Sequence, residues 1–141
     1  MTQSKTIQYW LMKSEPDVYP WEQLVREKKG HWDGVRNHSA ALNMKTMKRG
    51  DFAFFYHSNI GKEIVGIMEI TKEAYPDPTD ETGKFVMVDV KPVKPFPRPV
   101  TLAELKADPV FNSMDLIRLS RLSVGKVTDK EWALICKLGK I

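Results

Sequence analysis

One predicted strand carries apolar side chains on both of its faces. The run from Phe85 to Val93 has the composition of a β-strand, in which successive side chains point to opposite sides of the sheet. Its apolar residues divide between these sides, with Val86, Val88 and Val90 on one and Phe85 and Met87 on the other. A strand of this kind needs cover on both sides, as where a sheet curls into a barrel with helices packed outside it. The sequence therefore predicts a curled sheet with outer helices.

The remaining elements complete an α+β pattern. Strand composition also marks residues 7–13, 51–57 and 63–71, with residues 121–127 as a further candidate. Capping and spacing signals predict helices from Pro20 to Gly30, from an N-cap at Ser39 to Gly50, from Thr101, and from Thr128 to Gly139, with a loop at residues 31–38. We expect an α+β fold, namely a small mixed β-barrel with short helices packed around it. One domain spans residues 7–141, and residues 1–6 form a flexible N-terminal tail.

Composition and charge narrow the class of protein. The 141 residues suit one domain, and 42% hydrophobic with 28% charged residues is typical of soluble globular proteins. Cys136 has no partner for an internal disulfide, and no apolar run approaches the ~20 residues that span a bilayer. We expect a cytoplasmic protein, nucleoid-associated if bacterial, without a secretion or nuclear localisation signal. The net charge of +4 and pI near 9.1 favour polyanionic partners.

The usual signatures of catalysis and cofactor binding are missing from the sequence. The three histidines and Cys136 do not have the spacing of a metal site, and there is no phosphate-binding or dinucleotide-binding glycine motif. His57 and Ser58 are adjacent on a predicted strand, so their side chains point to opposite faces and cannot share a proton. We therefore expect no metal, no cofactor and no enzymatic activity.

Polar and aromatic residues concentrate in segments that border the predicted strands. These segments are residues 13–16, 32–37 and 56–58. Loops at the rim of a barrel commonly bind ligands, so we expect the functional site there. Taken singly, the residues have structural alternatives: Trp32 as a core aromatic, Asn37 or Ser39 as a helix cap, and Arg36 as a surface charge. Only the combination indicates a site.

The same segments carry a resemblance to a known family. The matching stretches are residues 9–16 (YWLMKSEP), 32–37 (WDGVRN), 50–52 (GDF), 55–59 (FYHSN), 73–79 (EAYPDPT), 88–92 (VDVKP), 98–102 (RPVTL) and 118–124 (RLSRLSV). In this series the chain resembles the EVE domain family of the PUA-like superfamily, which is related to the YTH domains that read methylated adenine in RNA. It is similar to bacterial members and to the thymocyte nuclear protein group, which are implicated in binding DNA with 5-methylcytosine or its oxidised forms.

The resemblance implies a set of nucleotide-binding residues. Trp32 matches a cage tryptophan of the YTH domains, and Tyr56 and His57 are expected near the same mouth. The polar edge is expected from Lys13, Ser14 and Glu15. Hydrogen bonds at the rim are expected from Arg36, Asn37 and Ser58, and contacts to the phosphate backbone from Arg121 and Arg118.

The implied function is that of a modified-base reader. A base inside a duplex hides its faces, so the pocket receives a flipped or single-stranded nucleotide. A carboxylate such as that of Glu15 accepts from the cytosine amino group, which favours cytosine over thymine. The alternatives are an RNA-binding module, a component of an RNA- or base-modifying enzyme system, and a protein-interaction module. A monomer that binds nucleic acid and no membrane is expected.

Overall fold

The computed structural model describes residues 7–141 of the chain, so the predicted tail at residues 1–6 lies outside the described residues. Within residues 7–141, six strands and five short helices follow one another. They are β1 (Tyr9–Ser14), α1 (Trp21–Glu27), β2 (Gly30–Trp32), α2 (His38–Thr46), β3 (Phe52–His57), β4 (Glu63–Pro76), β5 (Val86–Thr101), α3 (Leu102–Ala107), α4 (Asp115–Arg118), β6 (Val124–Val127) and α5 (Asp129–Leu138). A single 3-10 turn, Pro109–Phe111, lies between α3 and α4.

The six strands form one sheet in the order β2-β5-β4-β3-β1-β6. β1 and β3 run parallel, and the other neighbouring pairs are antiparallel, so the predicted mixed sheet is confirmed. The predicted closure into a barrel is wrong. β2 and β6 stay at opposite ends of the sheet because β2 is a three-residue strand that pairs with β5 alone.

Two hydrophobic clusters lie on opposite faces of this sheet. The inner cluster takes side chains from all six strands, among them Trp10, Phe55 and Val88, together with helices α1 and α2. The outer cluster contains Phe54 and Phe96 and is covered by the C-terminal helices. Because one face of every strand reaches the inner cluster, the sheet curls around it. The two-sided burial predicted for the strand after Phe85 is confirmed, with Met87 and Val88 both buried.

Local capping signals predict the helix ends well near the C-terminus. Thr101 and Thr128 each accept from a backbone N–H three residues on, and the glutamate at that position bonds back to the threonine N–H. The N-cap of α2 is Asn37, not Ser39, because the Asn37 side chain accepts from the N–H of Ala40 at 2.9 Å. Helix α1 ends at Glu27. Its N-cap is Pro20, and its C-cap is Lys28, which has a left-handed backbone conformation.

Two strands differ from the sequence-based expectation. β2 lies in the segment predicted as a loop, and at three residues it is too short to show a periodic pattern. A Cβ on its first residue, Gly30, would lie 2.3 Å from the hydroxyl oxygen of Tyr19, so a larger residue would require the Tyr19 side chain to move. β5 continues well past Val93 to Thr101 in spite of four prolines. These prolines are tolerated because β2 pairs only with residues 88–90, which leaves the rest of β5 with a free edge.

Candidate functional site

A cleft of about 1000 Å³ opens where the two ends of the curled sheet do not meet. Edge strand β2 contributes His31 and Trp32 to its wall, and the end of β1 contributes Ser14. The segment before β6 adds Ser120 and Ser123 on the other side. Binding sites for small organic groups commonly occupy about 300–1,000 Å³, so the cleft has room for a base and its sugar.

Trp32 belongs both to the wall of this cleft and to the inner cluster. Its side chain is only 7% exposed. The indole packs edge-on against Phe55, with ring centroids 5.3 Å apart, and against Tyr19 at 6.2 Å. Such edge-to-face pairs hold the ring in one orientation. The sequence left open whether Trp32 is a core residue or a pocket residue, and the structure gives it both positions.

The polar edge of the cleft follows the end of β1. The ammonium group of Lys13 donates to the carbonyl of Ser120 at 2.9 Å, and burial lowers the pKa of Lys13. The Ser14 hydroxyl donates to the carbonyl of Tyr19 at 2.6 Å. The exposed carboxylate of Glu15 accepts from the side-chain amide of Asn59. These bonds hold three loops together around the cleft, and each of the three side chains keeps capacity for a further hydrogen bond.

The rim loop, residues 33–36, is anchored by the buried carboxylate of Asp77. Gly34, whose φ of +79° favours glycine, donates its N–H to Asp77 at 2.8 Å. Arg36 donates to the same oxygen at 3.1 Å, and Thr79 donates to the other oxygen through its N–H and hydroxyl. Burial alone would raise the pKa of Asp77, but the hydrogen bonds from Thr79, Gly34 and Arg36 outweigh it and lower the pKa to about 2. The carboxylate therefore stays ionised and fixes the loop.

Arg36 is held in place from several sides. Besides Asp77, its guanidinium donates to the carbonyl of Val35 at 3.1 Å and to the hydroxyl of Thr79 at 2.9 Å. It also lies over the ring of Phe85, 5.4 Å from the centroid. The side chain lines the cleft and remains 40% exposed. Arg36 thus presents a fixed positive charge at the rim.

Further positive charge at the cleft comes from Arg121. Its side chain is exposed, lines the cleft and makes no hydrogen bond or ion pair with any residue from 7 to 141. Arg118 differs, because it pairs with Asp115 at 3.0 Å and does not line the cleft. Of these two arginines, Arg121 is therefore the one that is available at the cleft within the described residues.

Comparison with known proteins assigns the fold and the site to a family. The EVE domain matches residues 8–138 of the chain. Mouse thymocyte nuclear protein 1 is 38% identical over 164 aligned positions, which cover 92% of this chain and 73% of the mouse protein. This chain belongs to the EVE domain family. The family predicted from the sequence is confirmed.

Solved structures agree with this EVE domain in fold. A protein from Rhodopseudomonas palustris is 59% identical with a TM-score of 0.89, covering 95% of this chain and 94% of that one. Human THYN1, solved in complex with DNA containing 5-methylcytosine, is 34% identical with a TM-score of 0.86, covering 95% and 98%. The YTH domain of Zygosaccharomyces rouxii MRB1, solved with N6-methyladenosine RNA, has a TM-score of 0.61 at 16% identity, covering 100% and 92%, which is a likeness of fold. The predicted α+β, PUA-like class is confirmed.

The structure brings most of the predicted site residues of this EVE domain to one cleft. Those that line it are Lys13, Ser14, Glu15, Trp32, Arg36, Ser58 and Arg121. Their role in binding a nucleotide stays a prediction. Asn37 caps α2 and lies outside the cleft, as does Arg118.

Tyr56 and His57 do not lie at the mouth of the cleft, where they were expected. Tyr56 is 3% exposed and packs in the outer cluster, on the far side of the sheet from Trp32. His57 points to the inner face, where its ring lies edge-on to Phe55 and its Nε2 accepts from the N–H of Trp21 at 3.1 Å. Neither side chain lines the cleft. Their neighbour Ser58 does, because it follows the end of β3.

Acid is expected to destabilise this EVE domain through His57. Burial lowers the pKa of His57 below its ordinary 6.5, although Glu22 and Glu63 act to raise it. The unfolded chain therefore takes up the His57 proton at a higher pH than the folded protein does. The stability contributed by neutral His57 is fully present above pH 6.5 and is lost as the pH falls through the folded-state pKa. The His57→Gln variant keeps an acceptor for Trp21 without titrating, so its unfolding free energy should depend less on pH.

Urea unfolding of wild type and His57→Gln at a series of pH values measures this difference. The exposed His38, whose ring is tilted against Phe85 with centroids 5.1 Å apart, gives the matched control His38→Gln. The same loss of stability in all three proteins would contradict the assignment.

Sequence reasoning missed several residues that line the cleft. The main ones are Val18, Tyr19, Lys29 and His31. Tyr19 lies in the loop directly after the recognised 9–16 stretch, so its position beside that stretch was the available signal. Its buried hydroxyl makes no hydrogen bond with the residues that the structure describes. Burial, with Glu27 and Asp33 nearby, raises the pKa of Tyr19.

The described residues hold no group of three or more histidine, cysteine, aspartate or glutamate side chains placed to bind a metal ion. Within the same part of the chain, no helix has the length and apolar character needed to cross a membrane.

Proposed function

We propose that this EVE domain reads one modified base in nucleic acid, most specifically 5-methylcytosine or an oxidised derivative in DNA. The observation that carries the proposal is the cleft, which combines a tryptophan wall, a polar edge and a cationic rim in the gap of the sheet. The complex of human THYN1 with DNA containing 5-methylcytosine supports the choice of ligand, because 95% of this chain aligns with that protein. The nucleotide enters the cleft flipped from a duplex or from a single strand.

Stacking provides the energy to hold the base. Removing a base from a duplex costs a few kcal/mol, and stacking on an aromatic ring returns about 1–3 kcal/mol. Trp32 and Tyr19 are the aromatic side chains at the cleft that serve this purpose. Contacts between the rim cations and phosphates supply the rest of the binding free energy, independently of base sequence.

Base identity requires directional groups. Glu15 uses one carboxylate oxygen on Asn59, and the other is available to accept from the amino group of a cytosine. Thymine lacks that donor, so cytosine is favoured. Burial of one extra methyl contributes about 0.8 kcal/mol, roughly four-fold in affinity, so selection of 5-methylcytosine over cytosine is modest unless a hydrogen bond to the modification adds to it.

A binding panel tests this function. Labelled single-stranded and duplex DNA carrying cytosine, 5-methylcytosine, 5-hydroxymethylcytosine, 5-formylcytosine or N6-methyladenine is titrated at fixed salt, with matched RNA oligonucleotides beside it. The tightest binding is expected for a modified cytosine in DNA, by about four-fold or more over cytosine. Tighter binding of the matched RNA would favour the RNA-binding alternative. Turnover of an oligonucleotide, detected by mass spectrometry, would favour a role in a modifying system. Equal affinity for all ligands would contradict base reading.

Arg121→Ala is expected to lower the affinity for modified and unmodified oligonucleotides by the same factor. A phosphate contact carries no base information, so the slope of log affinity against log salt should also become shallower by about one. Arg118→Ala is the matched control, because Arg118 is already paired with Asp115 and lies off the cleft. The control should bind almost as wild type does. A loss confined to modified DNA would contradict the phosphate assignment for Arg121.

A further inference from the structure

A three-residue polar cluster lies on the outer side of β2, at the rim of the cleft. His31 and Asp89 are directly opposite each other in the β2–β5 pairing. The Nδ1 atom of His31 lies 2.7 Å from Asp89 Oδ1, and the Tyr75 hydroxyl donates to the same oxygen at 2.5 Å. The hydroxyl is also 3.2 Å from His31 Nδ1. The His31 imidazole is therefore held by residues of two other strands, Asp89 of β5 and Tyr75 of β4.

This cluster determines which nitrogen of His31 carries a proton. Burial would raise the pKa of Asp89, but the hydrogen bonds from Tyr75 and His31 outweigh it and lower the pKa. An ionised carboxylate can only accept, so the proton between the two residues lies on Nδ1 of His31. The Nε2 atom is then an acceptor in the neutral ring. It becomes a donor when the ring takes up a second proton.

The Nε2 side of the ring is available to a ligand. The His31 side chain is 60% exposed, it lines the cleft, and its Nε2 makes no hydrogen bond within residues 7–141. Lys29, two residues earlier, is exposed on the same rim. Lys29 and His31 therefore lie on the same wall of the cleft as Trp32.

Charged groups from each neighbouring element act on His31. Asp89 of β5 is in direct contact with the ring, and Asp33 lies in the loop that follows β2. On β4, Tyr75 is a neutral hydrogen-bond partner, while the Lys72 ammonium lies 4.1 Å from the centre of the Tyr75 ring. The direct contact is with the Asp89 carboxylate, which accepts from Nδ1 whether or not Nε2 carries a proton.

We propose that His31 is a phosphate-binding residue that, in its protonated form, donates from Nε2 to the nucleic-acid backbone beside the bound base. The assignment rests on the proposed function, since it requires a strand in the cleft. Asp89 and Tyr75 are positioning residues that hold the ring. Because the contact is made to a phosphodiester, it strengthens the binding of modified and unmodified strands alike.

The affinity for a single-stranded oligonucleotide is measured from about pH 5 to 8, the range in which histidine titrates. The wild type should lose affinity several-fold as the pH rises, and its salt slope should fall by about one as the cationic contact disappears. His31→Asn keeps a polar side chain that does not titrate, so its profile should be flat by comparison. Asp89→Asn removes the carboxylate that positions the ring, so its affinity at the acidic end of the range should fall toward that of His31→Asn.

His38→Asn is the matched control, because His38 is exposed but does not line the cleft. His57 is unchanged in every variant, so its titration affects all of them equally. A pH profile of His31→Asn that equals the wild-type profile would overturn the proposal. Inorganic phosphate at constant ionic strength tests the source of the anion: competition that depends on His31 would indicate a free-phosphate site and would also overturn it.

The outcomes separate this inference from the proposed function. Binding without preference for a modified base, but with a His31-dependent pH profile, overturns base reading alone. Preference for a modified base with no effect of His31→Asn overturns the phosphate contact alone. An absence of any binding by the wild type overturns both.

Discussion

Replacing Trp32 with alanine is expected to lower the free energy of unfolding by about 3–5 kcal/mol, as for other large aromatic residues removed from a core. The side chain is 7% exposed and packs edge-on against Phe55 and Tyr19, so alanine leaves a cavity between them. Urea unfolding measures the loss. The sequence left open whether Trp32 is a core or a pocket residue, and this measurement shows how much it contributes to the core. An unfolding free energy within about 1 kcal/mol of wild type would contradict the packing argument.

The effect of Trp32 on binding has to be measured in a variant that keeps the core filled. Trp32→Phe retains an aromatic ring but reduces the surface available for stacking. It should therefore lower the affinity for a modified oligonucleotide while the protein stays folded. Trp132 gives a matched control, since it stacks on Phe54 in the outer cluster, with ring centroids 3.9 Å apart, and does not line the cleft. Trp132→Phe should change stability without changing affinity. Equal binding by wild type and Trp32→Phe would count against stacking on Trp32.

Asp77→Ala is expected to be the second most harmful change, with a loss of roughly 2–4 kcal/mol in unfolding free energy. The substitution leaves the N–H groups of Gly34 and Thr79 and the Arg36 guanidinium without their acceptor. A fully buried donor that loses its partner costs about 1–3 kcal/mol, and these three part-buried donors each cost less than the upper end of that range. The rim loop should then move, so affinity for every oligonucleotide should fall as well.

The pH dependence of this variant gives a second measurement. The folded-state pKa of Asp77 is about 2, below its ordinary 3.8, so the carboxylate stabilises the wild type above pH 3.8 and loses this effect as the pH falls toward 2. The difference between wild type and Asp77→Ala should therefore shrink in that window. Asp80 provides the control, because it organises the neighbouring turn through Thr82, Lys84 and Phe85 without touching the rim loop. Asp80→Ala should leave binding unchanged, and equal effects of the two substitutions would contradict the anchoring role of Asp77.

Features that depend on neighbouring residues were predictable. The capping boxes at Thr101 and Thr128 need only a threonine and a glutamate three residues apart, and both form as expected. The alternation of β3 is similarly local: Tyr56 and His57 point to opposite faces of the sheet, although both were expected at the same mouth. It does not say which face the cleft is on, and neither of the two residues reaches it. Register and the curl of the whole sheet decide that.

The sequence by itself determined the family, the α+β class and part of the cleft wall, because these follow from contiguous stretches such as residues 9–16 and 32–37. Only the tertiary structure decided the open edge between β2 and β6, the anchoring of Gly34 by Asp77, and the pairing of His31 with Asp89. The two pairs join residues 43 and 58 positions apart. Such pairs are set by strand register and loop closure, and strand β2, which carries one of them, is too short for a periodic signal. The positions of these charges therefore emerge when the sheet assembles and cannot be read from local composition.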